Sequence, residues 1–101
     1  ANSDIYSPEM ASFVETVGRI SQPDYMPYAF YIEGGSLAVE NALKTAFDWK
    51  ARKNLSAGKK IPKNLVVHLK ECFHGRSGYT MSLTDSPDPR KVQYFPKFDW
   101  P

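Results

Sequence analysis

A single cysteine, Cys72, stands among 101 residues, so no internal disulfide can form and a stapled secreted scaffold is excluded. No run approaches the 18 or so consecutive apolar residues of a membrane span. The opening Ala1-Asn2-Ser3-Asp4 lacks the basic and apolar regions of a signal peptide. The formal charge is only +2, too small to imply a nucleic-acid partner by itself, because phosphate recognition needs a strongly basic face. Neither GxGxxG nor the P-loop spacing occurs, which argues against a common nucleotide site. Internal repeats and low-complexity tracts are missing as well. These absences predict a soluble, cytoplasmic protein with no membrane and no nucleic-acid partner.

What is present describes a folded chain. Apolar residues make up 42%, aromatics 14% and charged residues 24%, which excludes a disordered tail or a fibre. A self-contained domain of this size buries roughly two-thirds of its unfolded surface, enough for one modest core. The chain begins without methionine and closes on Phe98-Asp99-Trp100-Pro101, an aromatic ending typical of an interior. A segment of a larger protein is therefore expected.

Along the chain, Ser7-Pro8-Glu9 offers a capping hydroxyl, a proline suited to the first helical position and an acid at the positive end of the dipole. Met10, Phe13, Val14, Val17 and Ile20 follow at three- and four-residue spacing, predicting an amphipathic helix over about 7–20. Gln22-Pro23-Asp24 and Pro27 end it. The apolar run 28–32 reads as a strand buried on both faces, as in parallel sheets, and Glu33-Gly34-Gly35-Ser36 closes it. From Leu37 to Lys53 the apolar residues Val39, Ala42, Leu43, Ala46 and Phe47 predict a second helix, with Glu40, Lys44, Asp48 and Arg52 assigned to its polar side. After a loop over 54–63, residues 65–69 read as a second buried strand. Beyond it, 73–85 accommodates at most one short helical turn, and 86–89 is a turn. The expected fold class is α/β: one βαβ unit with a preceding helix, part of a larger sheet.

Two loops carry the chemistry. Gly34-Gly35-Ser36 sits between a strand and a helix start, where glycines allow close backbone approach and the first amides have no internal partners. A phosphate suits that turn, and so does a plain tight turn. Phe73-His74-Gly75-Arg76 follows the second strand. An aromatic ring can stack on a planar group and an arginine fork can grip a carboxylate. Both loops lie at carboxyl ends of strands, where open α/β sheets gather ligands. Taken singly, each residue has a structural alternative: Phe73 as core filler, His74 as a satisfied hydrogen-bonding residue, Arg76 as a surface ion-pair partner. The stretch Lys44–Lys63 holds six lysines and one arginine against Asp48, which reads as a solvated face. Cys72 has no CxxC neighbour, His68 reads as structural, and Ser77 and Ser82 lack a nucleophile-elbow context.

The run Phe30-Tyr31-Ile32-Glu33-Gly34-Gly35-Ser36-Leu37-Ala38-Val39-Glu40-Asn41-Ala42-Leu43-Lys44, followed by Phe73-His74-Gly75-Arg76-Ser77-Gly78-Tyr79-Thr80, resembles the class III (ω-amino-acid) aminotransferases across nearly the whole chain. The resemblance implies a fold type I enzyme using pyridoxal 5'-phosphate, with residues 1–101 an incomplete segment of its large domain. It implies that the amides of Gly35 and Ser36 hold the cofactor phosphate, that Phe73 stacks on the pyridine ring with His74 alongside, and that Arg76 grips the substrate carboxylate. The run from Glu33 to Lys44 and the Pro96-Lys97-Phe98-Asp99-Trp100-Pro101 ending favour the members that move the side-chain amino group of L-lysine to 2-oxoglutarate, as a homodimer. Members acting on ornithine or 4-aminobutyrate are the alternative within the family. No lysine here stands in the family's Schiff-base context and no pyridinium acid is present, so the segment alone is expected to be inactive with no catalytic residue of its own. No metal is implied. A non-catalytic anion-binding module is the rival from another class.

Overall fold

The computed structural model describes residues 5–61 and 63–98. The sequence-based readings that fall on Ala1–Asp4 and Asp99–Pro101 lie outside the described residues. The chain divides into two compact units, residues 1–32 and 33–101.

In the first unit, α1 runs Pro8–Ile20. The Ser7 hydroxyl accepts from the Met10 amide at 3.2 Å and Pro8 opens the first turn, so the expected start is realised. Its end is closed by Ser21, whose amide donates to the Val17 carbonyl at 2.9 Å. The chain then turns at Pro23, and Phe13 meets Tyr31 edge to face with centroids 5.3 Å apart. Met10, Val14, Ala29 and Phe30 line a groove between α1 and this returning segment.

In the second unit, α2 spans Gly35–Ser56. It outlasts the expected stop at Lys53 because the residue able to leave the helix lies further on. Gly58, at φ +68°, turns the chain while its amide donates to the Leu55 carbonyl at 2.9 Å. Asp48 and Arg52 pair across one exposed turn at 2.7 Å. A short helix, α3, covers Gly78–Leu83, six residues, somewhat longer than the single turn expected there. A 3₁₀ turn, Pro89–Lys91, is capped by Asp88.

The expected βαβ unit is not seen among the described residues: 28–32 and 65–69 form no ladder, and the regular elements there are all helices. A strand needs a hydrogen-bonding neighbour, and these two segments belong to separate units. Burial on both faces also fails: Tyr28, Phe30, Leu65 and Leu69 are exposed, and Val67 is 98% exposed. Glu40 was assigned to the polar side of α2, yet it is only 7% exposed. Three steps of four residues overshoot the helical turn by about 40° each, so Glu40 and Arg52 do not share a face.

Candidate active site

α2 starts without a side-chain cap. Gly34, at φ +87°, occupies the capping position, and the first helical bond runs from the Ala38 amide to the Gly34 carbonyl at 3.1 Å. Open space lies where side chains would stand on Gly34 and Gly35. The first amides of α2 thus stand without a side-chain cap at the positive end of a 22-residue helix, beside the region left open at Gly34 and Gly35.

That region is one side of a cavity of roughly 670 Å³ lined by Gly35, Ser36, Phe73, His74, Gly75 and Arg76. All five residues singled out from the sequence therefore share one cavity. Phe73 is half exposed, with the Lys91 ammonium 5.4 Å from its ring centroid. The His74 ring meets His68 edge to face at 5.9 Å, and its Nε2 is buried without a partner among the described residues. Arg76 is exposed and makes no ion pair among the described residues. His68, read as an interior strand residue, is exposed; its Nδ1 lies 3.1 Å from the Leu69 carbonyl. Cys72 is a free thiol.

The floor is polar. Ser36 Oγ lies 2.6 Å from Ser77 Oγ and 2.9 Å from Thr80 Oγ1. Ser77 Oγ donates to Glu40 Oε1 at 2.9 Å, and the Thr80 amide donates to the same oxygen at 3.1 Å. The Thr84 hydroxyl reaches the Gly75 carbonyl at 2.7 Å and accepts from the His74 amide at 3.0 Å. Gly75, at φ +128°, passes so near this floor that a Cβ there would stand 2.8 Å from Thr80 Oγ1. No residue but glycine fits this crossing. Opposite, Gly78 lies under Phe98, whose ring also meets Tyr79 edge to face at 5.7 Å.

Ser77, Thr80, Thr84 and Glu40 were not chosen from the sequence. A signal existed: Ser36 and Glu40 are one helical turn apart, and Ser77 and Thr80 have the spacing of a capping box. The sequence alone presents Ser77 only as a serine without nucleophile-elbow context.

The arrangement presents helix-start amides, an aromatic face and a guanidinium without an ion pair among the described residues around one space. No group of three or more potential metal ligands occurs among the described residues. No helix among them is long and apolar enough to cross a membrane.

Comparison with known proteins gives these groups a context. The family model for class III aminotransferases matches residues 5–98. The L-lysine-epsilon aminotransferase of Mycobacterium bovis is 55% identical over 104 residues, covering 100% of this chain and 22% of that protein. Those of Amycolatopsis lactamdurans and Streptomyces clavuligerus are 50% identical over 101 residues, again covering 100% of this chain and 22% of each relative. A solved variant of M. tuberculosis Rv3290c superposes with a TM-score of 0.87 at 52% identity, covering 99% of this chain and 23% of that one. The chain thus spans about a fifth of the length of the relatives it matches.

Proposed function

The chain belongs to the class III aminotransferases, a pyridoxal-phosphate-dependent family, and from that premise we propose that the cavity at the head of α2 is its share of the cofactor site. In this reading residues 1–101 are a segment of the large domain. The whole protein moves the ε-amino group of L-lysine to 2-oxoglutarate as a cytoplasmic homodimer. The observation that carries the reading is the single cavity uniting the uncapped start of α2 with Phe73, His74 and Arg76.

The residues fit the group. A phosphate dianion needs donors without a steric fence, and the Gly35 and Ser36 amides at an uncapped helix start beside open space meet that need. Phe73 offers a ring face to a flat heteroaromatic, with His74 beside it. Arg76, without an ion pair among the described residues, can donate two parallel hydrogen bonds to a carboxylate. When bound, the cofactor supplies an electron sink and carries the amino group between the two substrates. This chain's residues bind and orient: the amides fix the phosphate, the aromatic ring fixes the plane, and Arg76 fixes one end of the substrate relative to that plane. The lysine and the acid that complete the chemistry are assigned to the remainder of the relatives' length, in which residues 28–32 and 65–69 also find their sheet neighbours.

The full-length protein is expected to carry a pyridoxal absorbance band that shifts on adding L-lysine, and to turn over lysine faster than ornithine or 4-aminobutyrate. A protein without the band loses the cofactor assignment. A band that responds to ornithine or 4-aminobutyrate in preference to lysine keeps the family chemistry and overturns the substrate.

A further inference from the structure

Arg76 sits between two pinned neighbours. On one side the Gly75 carbonyl receives the Thr84 hydroxyl at 2.7 Å. On the other the Ser77 amide reaches Thr80 Oγ1 at 3.1 Å, and Ser77 Oγ is bound both to Ser36 and to Glu40. The second pin ends on a buried carboxylate that no part of the proposed chemistry uses.

We propose that Glu40 is a positioning residue that holds the Arg76 loop against the head of α2, by fixing the direction of a hydroxyl chain; the inference rests on the role given to Arg76 above. A carboxylate only accepts. The proton of Ser77 Oγ is therefore committed to Glu40, so Ser77 accepts from Ser36 Oγ at 2.6 Å. The chain runs one way, Ser36 to Ser77 to Glu40, with Thr80 Oγ1 beside it, 2.9 Å from both serine oxygens and 3.3 Å from the Ser77 carbonyl. Glu40 also receives the Thr80 amide at 3.1 Å, a first-turn donor of α3 that the Ser77 capping box serves as well. One carboxylate oxygen thus joins α2, α3 and the residue that follows Arg76. It also leaves Ser36 with only its backbone amide to offer toward the cavity, since its hydroxyl proton points to Ser77. A side-chain amide of the same size breaks this order. Glutamine at position 40 would keep an oxygen acceptor, but it would lose the charge and bring two N–H donors into a site that has donors already.

The test is a double-mutant cycle in the full-length holoenzyme, read by calorimetric binding of L-norleucine, which keeps the α-carboxylate of lysine and lacks its ε-amine, and by lysine kinetics. Arg76→Ala should weaken norleucine binding and raise the lysine KM by roughly tenfold to a hundredfold. Glu40→Gln should do so by roughly tenfold, with kcat held within about twofold, and should add nothing in the Arg76→Ala background. Hydrogen exchange at the Thr80 amide should quicken in Glu40→Gln, a readout independent of turnover. If Glu40→Gln leaves binding unchanged, or its effect persists in full without Arg76, the positioning role is overturned. If Arg76→Ala itself is neutral, the role of Arg76 falls and this inference with it. Should Glu40→Gln not fold, Ser77→Ala reads the same link, because it removes the hydroxyl and leaves the Glu40–Thr80 bond in place.

Discussion

The two units of this chain put their polar side chains in opposite places. In residues 5–32 the hydroxyls and amides sit at the surface ends of α1, where Ser7 and Ser21 close the helix, and no residue of α1 is buried. In residues 33–98 the buried positions are Glu40, Gly75, Thr80, Leu83 and Thr84, and Leu83 is the one buried apolar side chain among the described residues. Area burial orders little of the second unit internally, so the conformation of its 73–77 loop must come from directional bonds. Such networks hold one geometry when every member is satisfied and fail sharply when one is removed. The first unit, by contrast, presents an apolar stripe whose geometry is forgiving.

The largest effect is expected where the second unit turns apolar residues outward. Val67 is 98% exposed in this chain, yet the proposed function makes it part of a strand within a sheet. In the full-length protein Val67→Asp should therefore cost more than about 4 kcal/mol and abolish recovery of folded protein, because it buries a lone charge. Lys63→Asp, at an exposed neighbouring position, should stay within about 0.5 kcal/mol. A tolerated Val67→Asp would make 65–69 a true surface and break the contrast at its root.

A smaller effect separates strain from contact inside the polar floor. Gly75→Ala should lower the unfolding free energy of the full-length protein by about 3 kcal/mol, since its Cβ would stand 2.8 Å from Thr80 Oγ1 with φ at +128°. Gly34→Ala meets nothing within 4 Å although its φ is +87°, so it should cost only about 1 to 2 kcal/mol. Denaturant midpoints measure both. Equal costs would mean that the hydroxyl floor yields to a methyl group and is no more rigid than the groove beside α1.

Helices were legible because their signals are local. Ser7-Pro8-Glu9 caps α1 as its chemistry dictates, and Gly34-Gly35 opens α2 at the turn that breaks the apolar run. That Phe73 and Arg76 would share a space with Gly35 and Ser36 was legible because both loops follow apolar runs. The pairing of residues 28–32 and 65–69 was not, because a short apolar run expresses a preference that only a neighbouring strand converts into a ladder. Glu40 escaped for a different reason. A four-residue charge repeat drifts around the helix, and only the fold reveals that Ser77 and Thr80 arrive on that side forty residues later.

Two carboxyls that reach solvent, one in each unit, isolate burial as the cause of the contrast, because both use the capping chemistry that Glu40 uses in the interior. Glu9 is held below the usual carboxylate range first by its own backbone amide and then by the Ser7 hydroxyl. Asp88 is held below it first by the Arg90 guanidinium, with Oδ1 2.9 Å from Nε and Oδ2 3.0 Å from Nη2. A depressed carboxyl stabilises the fold above the usual range and loses that contribution as pH falls through its lower folded value. Acidification should therefore loosen the start of α1 and the turn at Pro89 together, while solvent and salt keep the effect small. Carboxyl titration by NMR should find both groups below ordinary carboxylates, with Ser7→Ala returning Glu9 only part way, because its own amide remains, and Arg90→Ala returning Asp88 further. A Glu9 that titrates normally even with Ser7 in place would remove the surface half of the comparison.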